Sequence, residues 1–196
     1  MSEGGSIFFR GAKPVQDRAA QSSGGGGLYF KLEDKESAEV HFLTKLEDLL
    51  SFFDHRVSIG DGKTKNFTCV ANERKCILCE NGVDKRFVTA ALIYNLTLGK
   101  VQVIKLGIRF WQQVEDMATT YGSLNDRPYK VSRKGVMLNT VWSAVALDKK
   151  DPPEISGGAD IPVLENLFAS STDEDMASAI QGLDSSEEGD VGRSPY

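Results

Sequence analysis

Histidine is nearly missing from this chain of 196 residues, which has two, and cysteine is scarce, with three. Acid–base and nucleophilic chemistry near neutral pH draws heavily on those side chains, so the shortage narrows what the chain can do. No Ser-His-Asp or Cys-His arrangement stands apart from the cysteine cluster discussed below, and the HxE…PCxxC signature of zinc deaminases is absent. Gly60-Asp61-Gly62-Lys63 has the letters of a phosphate loop without its spacing or the Ser/Thr that opens the following helix. Glu115 and Asp116 are paired carboxylates on the exposed face of a helical pattern. The chain therefore reads as a non-enzyme. Three cysteines exclude a framework in which every thiol is disulfide-bonded. No apolar run approaches the roughly 20 residues of a membrane span, and the polar start Met1-Ser2-Glu3-Gly4-Gly5-Ser6 is unlike a signal peptide. The expectation is a cytoplasmic protein with reduced thiols and no membrane partner.

Basic charge is missing from one end of the chain. Residues 1–150 hold 22 Lys and Arg against 17 Asp and Glu, a balance of +5. Residues 151–196 hold Arg193 against 11 acids, a balance of −10. The isoelectric point near 5.2 thus describes the tail, not the body. A mildly basic body with an acidic tail is the arrangement expected where the tail competes with a polyanion for one surface; a solubilising appendage has the same composition.

What the chain does have is concentrated between His55 and Cys79. Cys76 and Cys79 form a CxxC pair, Cys69 lies upstream with six residues between it and Cys76, and His55 lies further upstream with thirteen residues between it and Cys69. A two-residue gap in a tight turn points both thiols at one centre. One imidazole and three thiolates make a complete tetrahedral set of the kind zinc favours, closed to substrate and hence structural. A redox pair is the competing reading, but it wants CxxC at the start of a helix after a strand; here Asn81-Gly82 follows, which is a turn signal. Two ordinary core cysteines are the third reading. His41 sits in an alternating strand pattern, open to solvent, ligand or core.

The length suits one domain with a core and tails. Residues 1–27 are rich in Gly and Ser and read as a flexible arm. Within it, Ile7-Phe8-Phe9-Arg10 is either a docking segment for another subunit, giving self-association, or a patch that packs back on its own domain. Residues 28–150 form the expected domain. Segments 28–32 and 38–43 alternate around Glu33-Asp34-Lys35 as a hairpin. Thr44-Lys45-Leu46-Glu47 is a capping box, with Leu46, Leu49, Leu50 and Phe53 at helical spacing, so a short helix delivers His55 to the cysteine loop. Segments 86–96 and 100–106 are strands joined at Leu98-Gly99. Residues 108–122 read as a helix ended by Gly122, and segments 127–135 and 137–147 form a last hairpin around Lys134-Gly135. Short strands with one helix between the fourth and fifth suit a mainly β, OB-fold-like Greek-key barrel with a zinc-stapled loop and one or two short helices. Asp151-Pro152-Pro153 ends the domain. Residues 151–196 are an acidic tail expected to be disordered apart from a short helix near residues 164–168.

With these motifs placed, the chain resembles the phage-type single-stranded DNA-binding proteins, the family of the zinc-containing helix-destabilising protein of T-even phages. The likeness rests on the spacing of His55, Cys69, Cys76 and Cys79, on strand 86–96, and on the helix at 108–122. The stretch from Tyr121-Gly122 through Asn125-Asp126-Arg127-Pro128-Tyr129-Lys130-Val131 and the acidic tail also carry it. It covers roughly residues 28–150, and Ile77 stands where relatives often have proline. The resemblance implies an OB-fold barrel with zinc in a loop and cooperative coating of single-stranded DNA. It further implies roles in replication, recombination and repair, with replication or recombination proteins as partners of the tail.

A sequence-independent single-strand binder needs cations along phosphates and aromatic faces for bases. Candidates that interleave the two are Lys31, Arg56, Lys63, Lys65, Phe67, Arg74, Lys75, Lys85, Arg86, Tyr94, Arg109, Tyr129, Lys130, Arg133 and Lys134. Phe30, Phe42, Phe110 and Trp142 sit among apolar neighbours and are assigned to packing. A second reading stays open: a small zinc-containing interaction protein that binds a polymerase or RNA polymerase subunit through its arm and tail.

Overall fold

The computed structural model describes residues 27–59, 64–136, 139–155, 161–169 and 172–187. The aromatic segment Ile7-Phe8-Phe9-Arg10 and Lys63 lie outside the described residues. The elements are β1 (Ser37–Phe42), a 3-10 turn (Leu46–Asp48), β2 (Leu50–Ser58), β3 (Thr64–Thr68), α1 (Ile77–Glu80) and β4 (Lys85–Asn95). They continue with β5 (Lys100–Gly107), α2 (Ile108–Tyr121), β6 (Pro128–Lys134), β7 (Val141–Ala146), α3 (Leu164–Leu167) and α4 (Asp173–Glu187). The protein is mainly β with short helices, as its alternating segments imply. It divides into two compact units, one holding residues up to Leu50 with Thr89–Leu167 and the other Ser51–Val88 with the chain from Phe168 onward.

In the larger unit the strand order is β4-β1-β6-β7, with β5 also on β4. Val40 stands opposite Asn95 on one side and opposite Tyr129 on the other, so β1 is paired on both edges. This leaves no edge of β1 for residues 28–32, and the expected hairpin does not form. Instead Tyr29 makes a parallel bridge to Val103, with the Phe30 N–H donating to the Val103 carbonyl and the Val103 N–H to Leu28, both at 2.8 Å. The buried Gln102 side chain donates to the Gly27 carbonyl at 2.8 Å and accepts from Asn95 at 2.8 Å, fixing the segment's start. Helix α2 buries Phe110, Trp111, Val114 and Ala118, one stripe at helical spacing. Its Trp111 indole N–H donates to the Thr89 carbonyl at 2.9 Å, and its ring lies 5.9 Å from that of Phe42. Phe30, Phe42 and Phe110 are buried and Trp142 packs against them, as assigned from sequence. His41 is in the core as well, 1% exposed. β6 and β7 form the expected final hairpin.

In the smaller unit β2 and β3 pair with His55 opposite Phe67 and Val57 opposite Lys65. Residues 44–53 were expected to be helical and are not. The Thr44 hydroxyl accepts the Leu92 N–H at 2.8 Å instead of capping a helix, and only a 3-10 turn forms before β2 begins at Leu50. Aromatic and β-branched residues from Phe52 to Val57 gain more from a paired, half-buried strand than from a short helix. His55 is therefore delivered by a strand. The second core gathers Val57, Phe67, Val70, Cys76 and Leu78 with Met176 and Ala179. The last two belong to α4, in a tail expected to lack such a helix. Thr172 caps it, its hydroxyl accepting the Asp175 N–H at 3.1 Å, and Met176, Ala179 and Ile180 follow on one face. The short helix expected near residues 164–168 is α3. No described helix is long and apolar enough to cross a membrane.

Candidate metal centre

His55, Cys69, Cys76 and Cys79 converge, their ligand atoms all within 4.8 Å of one another. Each arrives by a different local device. His55 points inward from β2, the face it shares with Val57. Cys69 follows the end of β3, its N–H donating to the Phe53 carbonyl at 2.8 Å. Cys76 precedes α1 and Cys79 lies within its single turn, so Leu78 between them turns into the core at 0% exposure. The Gly82 φ of 70° lets the chain leave that turn, a conformation costly for other residues. The Val83 N–H then donates to the Leu78 carbonyl at 2.9 Å.

Three of the six ligand–ligand distances match the edges of a four-coordinate site. Nε2 of His55 lies 3.5 Å from Sγ of Cys76 and 3.5 Å from Sγ of Cys79, and the Cys69 and Cys79 sulfurs are 3.6 Å apart. A tetrahedron with sulfurs at about 2.3 Å and nitrogen at about 2.0 Å has S–N edges of about 3.5 Å and S–S edges of about 3.8 Å. The other imidazole nitrogen, Nδ1, is 3.0 Å from the Val83 carbonyl and 3.2 Å from that of Asp84. A carbonyl can only accept, so Nδ1 carries the hydrogen and Nε2 presents its lone pair to the sulfurs, the tautomer a metal ligand needs. Burial raises the Cys76 thiol, but hydrogen bonds from the backbone at Cys79, Val70 and Leu78 outweigh it and bring the value down to about 7. Cys79 is pushed up to about 11 by burial and by the adjoining Cys69 and Cys76 sulfurs. Three thiolates cannot crowd one spot unaided; a cation removes that conflict. The redox reading is less well served, because three sulfurs and a histidine share the centre.

The other residues singled out from sequence divide between the units. In the smaller one, Arg56, Arg74, Lys75, Lys85 and Arg86 are exposed and Lys65 is half-buried. Arg86 donates to both carboxylate oxygens of the buried Asp54, at 2.6 and 3.1 Å, and to Asn66 at 3.3 Å, so part of its role is structural. The Lys85 ammonium lies over the Phe53 ring, 4.8 Å from its centre. In the larger unit, Lys31, Arg109, Lys130 and Lys134 are exposed and Tyr94 is half-buried. Arg133 donates to the Leu32 carbonyl at 2.9 Å. Two of the aromatic candidates are corrected. Phe67 is 1% exposed and Tyr129 0%, each within a core, where no base can reach a ring face.

Sequence reasoning passed over α4. Arg74 is paired with Asp173, and the Lys65 ammonium lies 3.9 Å from Asp175, so the acidic helix sits on two of the predicted cations. Phe168 adds a ring contact of 4.8 Å to Phe52 and accepts the Thr68 hydroxyl at 3.0 Å. The signal was present: Thr172, three residues before Asp175, followed by Met176, Ala179 and Ile180 at helical spacing. Compared with known protein families, curated proteins and solved structures, the chain matches none.

Proposed function

We propose that the chain binds single-stranded DNA through a cationic surface held in shape by one zinc ion in the His55, Cys69, Cys76, Cys79 cluster. Three thiolates and an imidazole suit zinc by ligand type and by edge length. With four protein ligands the ion supplies folding energy and leaves no position for a reacting group. Around it, Arg56, Lys65, Arg74, Lys75 and Lys85 provide charge for phosphates without any pattern that reads base edges.

The observation that carries the reading is the placement of α4. The carboxylates of Asp173 and Asp175 rest where backbone phosphates are expected, on Arg74 and Lys65. A tail carrying a balance of −10 that docks on cations of its own chain behaves as a stand-in for a polyanion. Coating of single strands during replication, recombination or repair is the role the sequence resemblance adds.

Titration of an oligo-dT against the full chain at several salt concentrations tests this. Each phosphate neutralised on a single strand contributes about 0.7 to the log–log salt slope, so roughly four contacts give a slope near −3. Absence of a salt-sensitive shift would sink the reading and leave the interaction-protein alternative.

A further inference from the structure

The larger unit contains an open cleft of about 770 Å³ between the end of α2, the start of β6 and the chain after β7. Tyr121, Arg127, Leu147, Asp148, Lys149 and Lys150 line it. Its size is that of a small-ligand site. We propose that this cleft is a nucleotide subsite, with Tyr121 the platform for one base and Lys149 and Lys150 the partners of the adjoining phosphate. The inference rests on the single-strand reading above and names where in the larger unit a strand is held.

The platform is built in advance. Tyr121 is 53% exposed, unusual for so large a ring, yet it is not loose. The Arg127 guanidinium lies over the ring, 5.2 Å from its centre, and donates to the Tyr121 carbonyl at 2.7 Å. Arg127 is in turn fixed by Asp126 at 2.8 Å, and its side chain is only 12% exposed. A ring already ordered in the free protein costs a stacking base little further entropy. Asp126 also faces Lys149 at 3.3 Å, but that lysine's side chain is 70% exposed and held by a single oxygen. It can turn to a phosphate while Asp126 keeps Arg127. At the cleft's end the buried His41 holds the Lys150 carbonyl through Nε2 at 3.2 Å, which gives this histidine a structural role. Against Arg127, Lys149 and Lys150 stand Asp126 and Asp148, so the local charge favours an anion. The buried Tyr129 hydroxyl, close enough to Arg127 and Asp126 to feel both charges, has no hydrogen-bond partner among the described residues.

The test uses the full chain and an oligo-dT in which one thymine is replaced by 5-iodouracil. Irradiation should crosslink it to the peptide containing Tyr121. Tyr121→Ala should lower oligo-dT affinity about 10-fold, the scale of one stacked base, with melting unchanged. Tyr121→Phe should retain affinity. Lys149→Ala with Lys150→Ala should reduce the salt slope by about 1. Undiminished binding by Tyr121→Ala, with crosslinks only elsewhere, overturns the subsite and leaves the single-strand reading standing. A wild-type chain that binds no oligonucleotide ends both. Thymidine monophosphate that abolishes the Tyr121 crosslink at micromolar concentration assigns the cleft to a free nucleotide, against the proposal.

Discussion

Replacing Met176 by aspartate should release helix α4 from the smaller unit, and the structure indicates how strongly. Met176 is fully buried among Val57, Phe67, Val70, Cys76 and Leu78. Burying one such side chain contributes about 1.5–3 kcal/mol. The two ion pairs join side chains that are 34–56% exposed, and exposed pairs contribute about 0.2–1 kcal/mol each. Apolar contact therefore outweighs charge in holding the helix, although charge is its more visible feature. Met176→Asp loses that burial and places an unpaired carboxylate in the site, whereas Asp173→Asn with Asp175→Asn removes only about 1 kcal/mol. If the docked helix covers a phosphate surface, a docking energy near 2 kcal/mol predicts up to about 30-fold tighter oligo-dT binding by Met176→Asp at low salt. The charge-removing double variant should gain only a few-fold. Hydrogen exchange of the amides at 172–181 reports release directly. An undocked helix with an unchanged binding curve would show that α4 covers nothing. A double variant that outdid Met176→Asp would show that the ion pairs, not the methionine, hold it.

Metal analysis should find about one zinc per chain, and Cys76→Ser or Cys79→Ser should release it and lower the melting temperature sharply; metal-free protein with unchanged melting would end the idea. His55→Ala should lose the metal only in part, since three thiolates remain. Arg86→Ala should cost about 1–3 kcal/mol of stability, seen in denaturant unfolding, because it withdraws two hydrogen bonds from the nearly buried Asp54 carboxylate. An Arg86→Ala chain of wild-type stability and weakened DNA binding would reverse that assignment. Deleting residues 1–24 should weaken cooperative coating of long single strands and spare affinity for a short oligonucleotide; equal loss on both lengths would place the arm in the DNA site or the fold.

The parts of the fold legible in the sequence are those decided within a few residues. The helix ending at Gly122, the turn at Gly99 with φ 65°, and the β6–β7 hairpin all follow from local pattern and turn chemistry. The cysteine cluster was legible for the same reason, because ligand spacing is a local quantity. Misreadings arose where distant partners decided the outcome. Thr44-x-x-Glu47 has a helix start written in it, yet the hydroxyl serves Leu92, 48 positions on. Residues 28–32 alternate like a hairpin arm, but β4 and β6 already occupy both edges of β1. Tyr129 sits beside Lys130 in sequence, and strand alternation sends the ring inward and the cation out; Lys65, two residues before Phe67, shares its face and lays its ammonium over the buried ring, 4.9 Å from the centre. In α4 the acidic composition masked a short apolar face.

The proposed metal and the tail helix stand on the same residues, which predicts an unequal dependence between them. Cys76 is both a candidate ligand and, at 2% exposure, part of the apolar cluster that also holds Leu78 and Met176. A four-residue helix has too few internal hydrogen bonds to keep that geometry unaided, and on the zinc reading proposed above the ion fixes it. Removing zinc with a chelator should therefore raise hydrogen exchange across residues 172–181 along with the loop at 69–83. The reverse dependence is expected to be weaker, because α4 packs against Cys76 but contributes no residue to the cluster of candidate ligands. Ending the chain at residue 171 should leave zinc stoichiometry at about one, with somewhat faster release to the chelator as Cys76 and Leu78 become exposed. Full protection of α4 in the metal-free chain would mean that apolar packing alone shapes the site. Zinc lost on truncation would mean that the helix closes the metal centre and the dependence runs in both directions.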